Sequence, residues 1–227
     1  MRFFALLKKE LRECLPWICL AALAILLFGG LFLQELAYRE ANEWSNKTFQ
    51  SSLTINSSHP PLQDSAVVLF LTSISLGLIL GFVQFWLPGF RGIWSFILHR
   101  SISRNVPLTA KIMAGAIAFI LSCVIIWTGL YLYCCRPGLF WTPPEFKFYL
   151  EGLLLILSGF SFYLAMALSG LSVARWYTTK MLSIAFAVII LIAVIGQWNL
   201  FLILLTLVIG MLIILFQLFD TFLKKEF

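Results

Sequence analysis

The sequence predicts an all-α integral membrane protein with six transmembrane helices. Of its 227 residues, 61% are hydrophobic and only 11% are charged, which lies far outside the range of soluble domains. The mean hydropathy is +0.98, and several uncharged stretches exceed the roughly 20 residues that a helix needs to cross a bilayer. We therefore interpret residues 1–227 as one membrane domain. The predicted spans are 15–36, 66–88, 107–133, 151–173, 179–196 and 199–220.

The first thirteen residues combine basic side chains with apolar ones at spacings of three to four, such as Phe3, Leu7 and Leu11. This pattern predicts an N-terminal amphipathic helix on the membrane surface. The alternative is a basic flank that leads directly into the first span. The uncharged run Cys14–Gln34 follows. It is longer than the apolar core of a cleavable signal peptide, so we expect it to remain as an anchor.

The next region, residues 35–64, is the longest polar segment and is net acidic. We expect it outside the membrane. Residues 65–90 are uncharged and contain the second span. Within it, Gly77 and Gly81 lie one helical turn apart and predict close packing of a neighbouring helix.

Between the second and third spans, residues 88–111 carry only positive charge. Pro88 and Gly89 end the preceding span, because proline lacks a backbone donor and glycine tolerates turns. Asn105, followed by Pro107, predicts a new helix start. One short helix fits between these two points.

That short helix has two faces. Arg91, Ser95 and His99 recur every four residues and form a polar ridge, opposite apolar side chains. Such a helix suits docking onto a soluble partner. The candidate contact residues are Arg91, Trp94, Ile97, Leu98, His99, Arg100 and Arg104.

The second half of the chain supplies the remaining spans. Residues 112–135 and 152–174 are each uncharged, and residues 181–219 form one uncharged run. As a single helix the last run would be roughly 58 Å long at about 1.5 Å per residue, against a bilayer core of about 30 Å. We expect it to fold back at the polar break 196–199, giving spans five and six.

The distribution of basic residues predicts the orientation of the chain. With both termini, the 88–111 segment and the 175–180 turn on one side, that side holds twelve of the sixteen basic residues. The other side holds four, together with six of the ten acidic residues. The positive-inside rule then favours an N-in, C-in arrangement with 88–111 in the cytoplasm. The same rule accounts for the net charge of +6, so we expect no nucleic-acid partner.

Several classes of chemistry have no support in the sequence. No HExxH or GxSxG motif occurs, and the five cysteines form no CxxC pair that would indicate a metal or disulfide framework. Ionisable residues are absent from the middle of the predicted spans, which disfavours ion-coupled carriers and intramembrane enzymes. The dipeptide Gly-Lys is absent, so the chain has no phosphate loop. We predict no catalytic, metal-binding or cofactor-binding residues.

Three stretches resemble the permease subunits of ATP-binding-cassette transporters of the ABC-2 type. The phrase GIWSFILHRSISR at 92–104 is similar to the end of that family's cytosolic loop between spans two and three, and AKIMAG at 110–115 to its sequel. The N-terminal LKKELRE at 7–13 resembles the family's opening helix. Ser101 stands where the family usually has proline, and the acidic residue that the family has a few positions before Gly92 is missing, with Pro88 to Arg91 there instead.

The resemblance implies a transmembrane subunit that is not itself an enzyme, in which the short helix is a cytoplasmic coupling helix seated on a separate ATPase subunit. ATP and Mg²⁺ would be used by that partner. A second permease copy or a sister permease would complete the transporter, in a bacterial plasma membrane. The expected activity is export of a hydrophobic or amphipathic substrate. The alternative is a membrane accessory or assembly protein that transports nothing.

Overall fold

The computed structural model describes residues 2–31, 33–35, 63–90, 105–136, 144–171, 181–195 and 199–224. These residues are almost entirely helical, and none of them lies in a strand. We number the helices α1 to α6. They are α1, Arg2–Ala24 with a π turn at Ile25–Gly29; α2, Gln63–Gly81 with a π turn at Phe82–Trp86 and a last turn Leu87–Phe90; α3, Asn105–Phe119, a π turn Ile120–Val124 and Ile125–Cys134; α4, Phe146–Leu171; α5, Leu182–Ile195; and α6, Leu200–Lys224.

Five helices in the described part of the chain are long and apolar enough to cross a membrane. They confirm a multi-pass, all-α membrane protein. The segments are Phe3–Glu35, Ser65–Phe90, Asn105–Cys134, Phe146–Leu171 and Leu200–Lys224. The helix corresponding to the expected fifth span, α5, has 14 residues. At about 1.5 Å per residue it is about 21 Å long, shorter than a bilayer core of about 30 Å.

The N-terminal segment does not form a separate surface helix. It is the beginning of α1, which runs without a break from Arg2 to Ala24 and contains Pro16. Glu10 and Cys14 are buried against neighbouring helices, so this part of α1 packs into the bundle rather than lying flat. The structure therefore agrees with the alternative of a flank that leads directly into the first span.

Successive long helices run in opposite directions. The start of α1, the end of α2 and the start of α3 meet where Glu10 contacts Lys111 and where Cys14 contacts Gln84. We call this the proximal end of the bundle. At the other, distal end the last part of α3 meets the start of α4, where the indole of Trp127 donates to the carbonyl of Tyr149.

The predicted break after α5 is confirmed. The helix ends at Ile195, and Asn199 caps the next one: its side-chain oxygen accepts from the N–H of Phe201 at 3.0 Å, as expected of an N-cap residue. One stripe of α6 is buried, whereas its other faces remain exposed and apolar, as expected for a helix between protein and lipid. The buried stripe is Leu207, Gly210, Ile214, Leu218 and Phe222.

The closest helix packing joins α2 to α4 through glycines. A Cβ added at Gly77 would meet the carbonyl oxygen of Gly159, and one added at Gly159 would come within 2.7 Å of Ser73. A Cβ at Gly81 would lie 2.7 Å from that of Met166. The close-packed face predicted from Gly77 and Gly81 is thus confirmed, and α4 is its partner. Small residues permit this approach, since helix association in lipid depends on packing.

We predict that Gly77→Ala destabilises the protein, whereas Gly129→Ala does not. The new methyl group at position 77 would overlap a backbone carbonyl, which cannot rotate away, so α2 and α4 must separate. Overpacking of this kind costs about 1–3 kcal/mol. Gly129 has nothing within 4 Å of the added Cβ and serves as the matched control. Thermal unfolding in detergent, followed by tryptophan fluorescence, measures the difference; equal midpoints for the two variants would contradict the assigned contact.

Candidate functional site

Five polar residues from four helices meet inside the bundle at its proximal end. Glu10 and Cys14 come from α1, Gln84 from α2, Lys111 from α3 and Tyr163 from α4, and all five are buried. We call this set the buried polar cluster. Polar and ionisable groups in membrane helices are costly and often mark function, so this cluster is the first candidate for a functional site.

An ion pair joins α1 to α3 within the cluster. Lys111 Nζ lies 2.9 Å from Glu10 Oε2, and the two residues are only 3% and 6% exposed. With almost no access to water, each charge depends on the other for compensation. Breaking such a pair by removing one partner typically costs about 3–5 kcal/mol. The ammonium also lies 6.0 Å from the centre of the Phe85 ring, within the range of a cation–π contact.

The π turn of α2 explains how Gln84 reaches the cluster. Gln84, Phe85 and Trp86 are three consecutive buried residues. In a regular α-helix three successive side chains spread over about 200°, whereas the wider π turn brings them closer to one face. π turns of this kind occur frequently at functional sites. Trp86 uses its indole N–H to bind the carbonyl of Met166 at 3.2 Å, which fixes this turn against α4.

Tyr163 connects the remaining helices. Its hydroxyl lies 2.6 Å from Gln84 Oε1 and 3.0 Å from the backbone carbonyl of Lys111. A phenol has one proton to donate, so the two acceptors share it. Gly115 makes the second contact possible, because a Cβ there would overlap the Tyr163 ring. Gln84 in turn donates from Nε2 to Cys14 Sγ at 2.8 Å.

These contacts form a closed ring of four helices. The ring runs from α1 to α2 through Cys14 and Gln84, to α4 and α3 through Tyr163, and back to α1 through the ion pair. The carboxylate of Glu10 is neutralised by Lys111. The arrangement is therefore suited to holding four helix ends together rather than to acid–base chemistry. Among the described residues, no group of three or more His, Cys, Asp or Glu side chains could hold a metal ion, and all five cysteines are free thiols.

The residues predicted to dock a partner lie outside the described part of the chain. These are Arg91, Trp94, Ile97, Leu98, His99, Arg100 and Arg104. The structure describes the two ends of their segment: α2 ends at Phe90, and α3 begins at Asn105 as the Asn-Pro signal predicted. Both ends lie at the proximal end of the bundle, next to the buried polar cluster.

The sequence pattern does not indicate the cluster. It places Lys111 in the basic loop and Glu10 in a surface helix, whereas the structure buries both. One signal was present: Glu10 lies three residues after Leu7 and four before Cys14, on the apolar stripe of its helix. The other basic and acidic residues of this segment, from Lys8 to Glu13, are exposed or half-buried.

Comparisons of the chain with protein-family models, with curated proteins and with solved structures find no match.

We predict that Lys111→Met lowers stability far more than Lys147→Met. The first leaves Glu10 buried without its counter-ion, at a cost of about 3–5 kcal/mol. The second breaks the exposed pair with Glu151, whose side chains are 59% and 42% exposed; such pairs contribute at most about 1 kcal/mol. Thermal unfolding in detergent measures both effects.

The double variant Glu10→Gln with Lys111→Met provides the control for this comparison. It removes both charges and should recover most of the lost stability, because the penalty comes from the unpaired charge. Similar unfolding midpoints for Lys111→Met and Lys147→Met would show that the buried pair does not hold α1 against α3.

Proposed function

We propose that this protein is the transmembrane subunit of an ATP-binding-cassette transporter that exports a hydrophobic or amphipathic substrate. One observation carries the proposal. The segment 91–104, which resembles the family's coupling helix, is flanked by the end of α2 and the start of α3, and both are tied to the buried polar cluster. A partner that moves this segment acts on four helices at once.

The energy for transport comes from a separate ATPase subunit. The chain has no phosphate loop, because the Gly-Lys dipeptide that such a loop requires occurs nowhere in the sequence. ATP closes the paired ATPase subunits, and their movement displaces the coupling helix. The displacement passes into α2 and α3 directly, and into α1 and α4 through the ion pair and Tyr163. The permeases then open outward, in an alternating-access cycle.

A second permease, either another copy or a sister chain, completes the pathway. Several apolar side chains on the outward faces of α1 and α6 are more than half exposed. They include Leu23, Leu27, Phe201 and Phe216. These faces are available to lipid and to a second permease. The apolar character of the exposed surfaces also favours a hydrophobic or amphipathic cargo over an ion.

The proximal end of the bundle faces the cytoplasm in this proposal. The twelve-to-four distribution of basic residues favours that orientation, and the shared position of the α1 start, the α2 end and the α3 start agrees with it. Residues 36–64 then lie outside the cell. The membrane is the bacterial plasma membrane, as the resemblance implies.

We predict that a cysteine at Ser52 reacts with an impermeant thiol reagent on intact cells and that one at Ser103 does not. The five native cysteines are replaced first. Both positions lie in hydrophilic segments, so the reagent's access from outside the cell depends on the side of the membrane on which each position lies. Permeabilised cells, in which both positions should react, provide the control. Reaction at Ser103 but not at Ser52 on intact cells would reverse the orientation.

A second prediction tests the docking segment. Arg100→Gln with Arg104→Gln should insert normally but copurify poorly with the ATPase subunit and lose transport-linked ATP turnover. Each charge-assisted hydrogen bond lost to the partner costs about 1.5–3 kcal/mol. Arg91 and Lys111 remain to maintain orientation. The variant is compared with the wild type by pull-down of the ATPase and by phosphate release in proteoliposomes.

The matched control is Lys224→Gln with Lys225→Gln, which removes two positive charges from the same side of the membrane. Among the described residues, Lys224 pairs with Asp220 one turn earlier, so this variant should assemble and turn over normally. The permease purified alone should release phosphate only at background rate. Wild-type assembly and transport in the arginine variant would reduce Arg100 and Arg104 to orientation signals. Absence of any copurifying ATPase would favour the accessory-protein alternative.

A further inference from the structure

The helices of the bundle are joined unequally. At the proximal end α1 is fixed to α3 by the buried ion pair, and α2 is packed onto α4 through Gly77 and Gly159. Between α1 and α2 the cluster supplies only the contact from Gln84 to the sulfur of Cys14. A thiol is a weak hydrogen-bond acceptor, so this is the weakest connection in the ring of four helices.

A groove opens along this same interface. It has a volume of about 160 Å³ and is lined by Trp17, Leu20, Ala21 and Ala24 of α1 and by residues between 71 and 79 of α2. At its proximal end lie Cys14 and Gln84, and beyond its distal end the π turn Ile25–Gly29 of α1 packs against α2 again. The small side chains of Ala21 and Ala24 leave space between the larger side chains that line the groove.

The walls of the groove are mostly hydrocarbon, with Thr72 and Ser75 as the polar residues among them. The hydroxyl of Thr72 donates to the carbonyl of Val68 in its own helix at 2.7 Å, so it offers little polarity to the groove. Leu20 and Leu71 are 59% and 58% exposed, which shows that the groove opens to the outside of the bundle. All of its residues belong to helices long enough to span the membrane, so the surroundings at this depth are lipid acyl chains.

We propose that this α1–α2 groove is a binding site for one acyl chain of a bilayer phospholipid. Trp17 and Ala24 are seven positions apart, which corresponds to a rise of about 10 Å along the helix. The volume of the groove is similar to that of an apolar cavity of about 150 Å³ that admits benzene. A helix of a second copy, about 10 Å in diameter, is too wide to enter. The site goes beyond the proposed transport function and does not depend on it.

Trp17 lies at the proximal end of the groove, close to the expected membrane interface. Its indole N–H has no hydrogen-bond partner among the described residues, and its side chain lines a mostly apolar groove. Tryptophan is enriched at this depth because its ring is apolar and its N–H finds polar partners at the interface. The ester carbonyl of the bound phospholipid accepts from this N–H, so the site holds the chain in one direction, with its head group toward the proximal end.

The test uses the whole protein in phosphatidylcholine vesicles that contain a trace of phosphatidylcholine with a diazirine on one acyl chain. After irradiation, labelled peptides are identified by mass spectrometry. We expect labelling concentrated at 17–24 and 71–79 and saturable as the probe is increased. Even, non-saturable labelling of all exposed apolar faces, including that of α6, would overturn the proposal.

Variants separate the groove from the surrounding lipid. Ala24→Phe fills the groove and should abolish the saturable labelling and the phospholipid retained in native mass spectrometry. Gly129→Phe adds a larger side chain where no atom lies within 4 Å of the new Cβ, and should retain both. Trp17→Phe keeps an aromatic side chain but removes the N–H donor, so the probe concentration at half-saturation should rise several-fold.

Two other outcomes also decide against the proposal. Unchanged retention and labelling in Ala24→Phe would show that the groove is not the lipid site. A disulfide that forms between Leu20→Cys of two copies, in a background without the native cysteines, would assign this surface to an interface between copies. If Ala24→Phe fails to fold, the labelling pattern of the wild-type protein still decides the question.

Discussion

The buried ion pair between Glu10 and Lys111 is the constraint on which the proximal end of this bundle depends. Both groups have almost no access to water, so each charge is compensated only when α1 and α3 pack in the register that brings the two together. An error of one turn would leave two uncompensated charges inside an apolar protein, at a cost of several kcal/mol. The pair therefore penalises any other register of α1 against α3.

The rest of the cluster depends on geometry that only a few residues permit. The π turn at Phe82–Trp86 turns Gln84 inward, and the missing side chain of Gly115 lets the Tyr163 ring lie against α3. The close packing of α2 on α4 brings Tyr163 within reach. The hydrogen bonds of the cluster therefore depend on the close packing of the helices. Without the glycines, the hydrogen bonds of Tyr163 could not form.

In the proposed function, the position of the cluster allows a movement of the segment between α2 and α3 to reach the other helices. Chain segments that enter and leave the bundle at its proximal end are attached to helices that share one hydrogen-bonded ring. A force on the segment between α2 and α3 is transmitted to α1 through a short, nearly dry ion pair, which resists separation more strongly than a contact with lipid would. The Cys14–Gln84 contact is the weakest connection in that ring, because a thiol is a weak hydrogen-bond acceptor.

The sequence by itself determined the membrane class, the start of α3, the break between α5 and α6 and the glycine face of α2. These follow from hydropathy, helix punctuation and residue size, which act within a short segment. Only the tertiary structure decided that α1 is continuous, that α5 is shorter than a bilayer core and that Glu10 and Lys111 are buried. Those two residues are 101 positions apart; each has an ordinary local context, and the environment that neutralises each charge comes from a different helix.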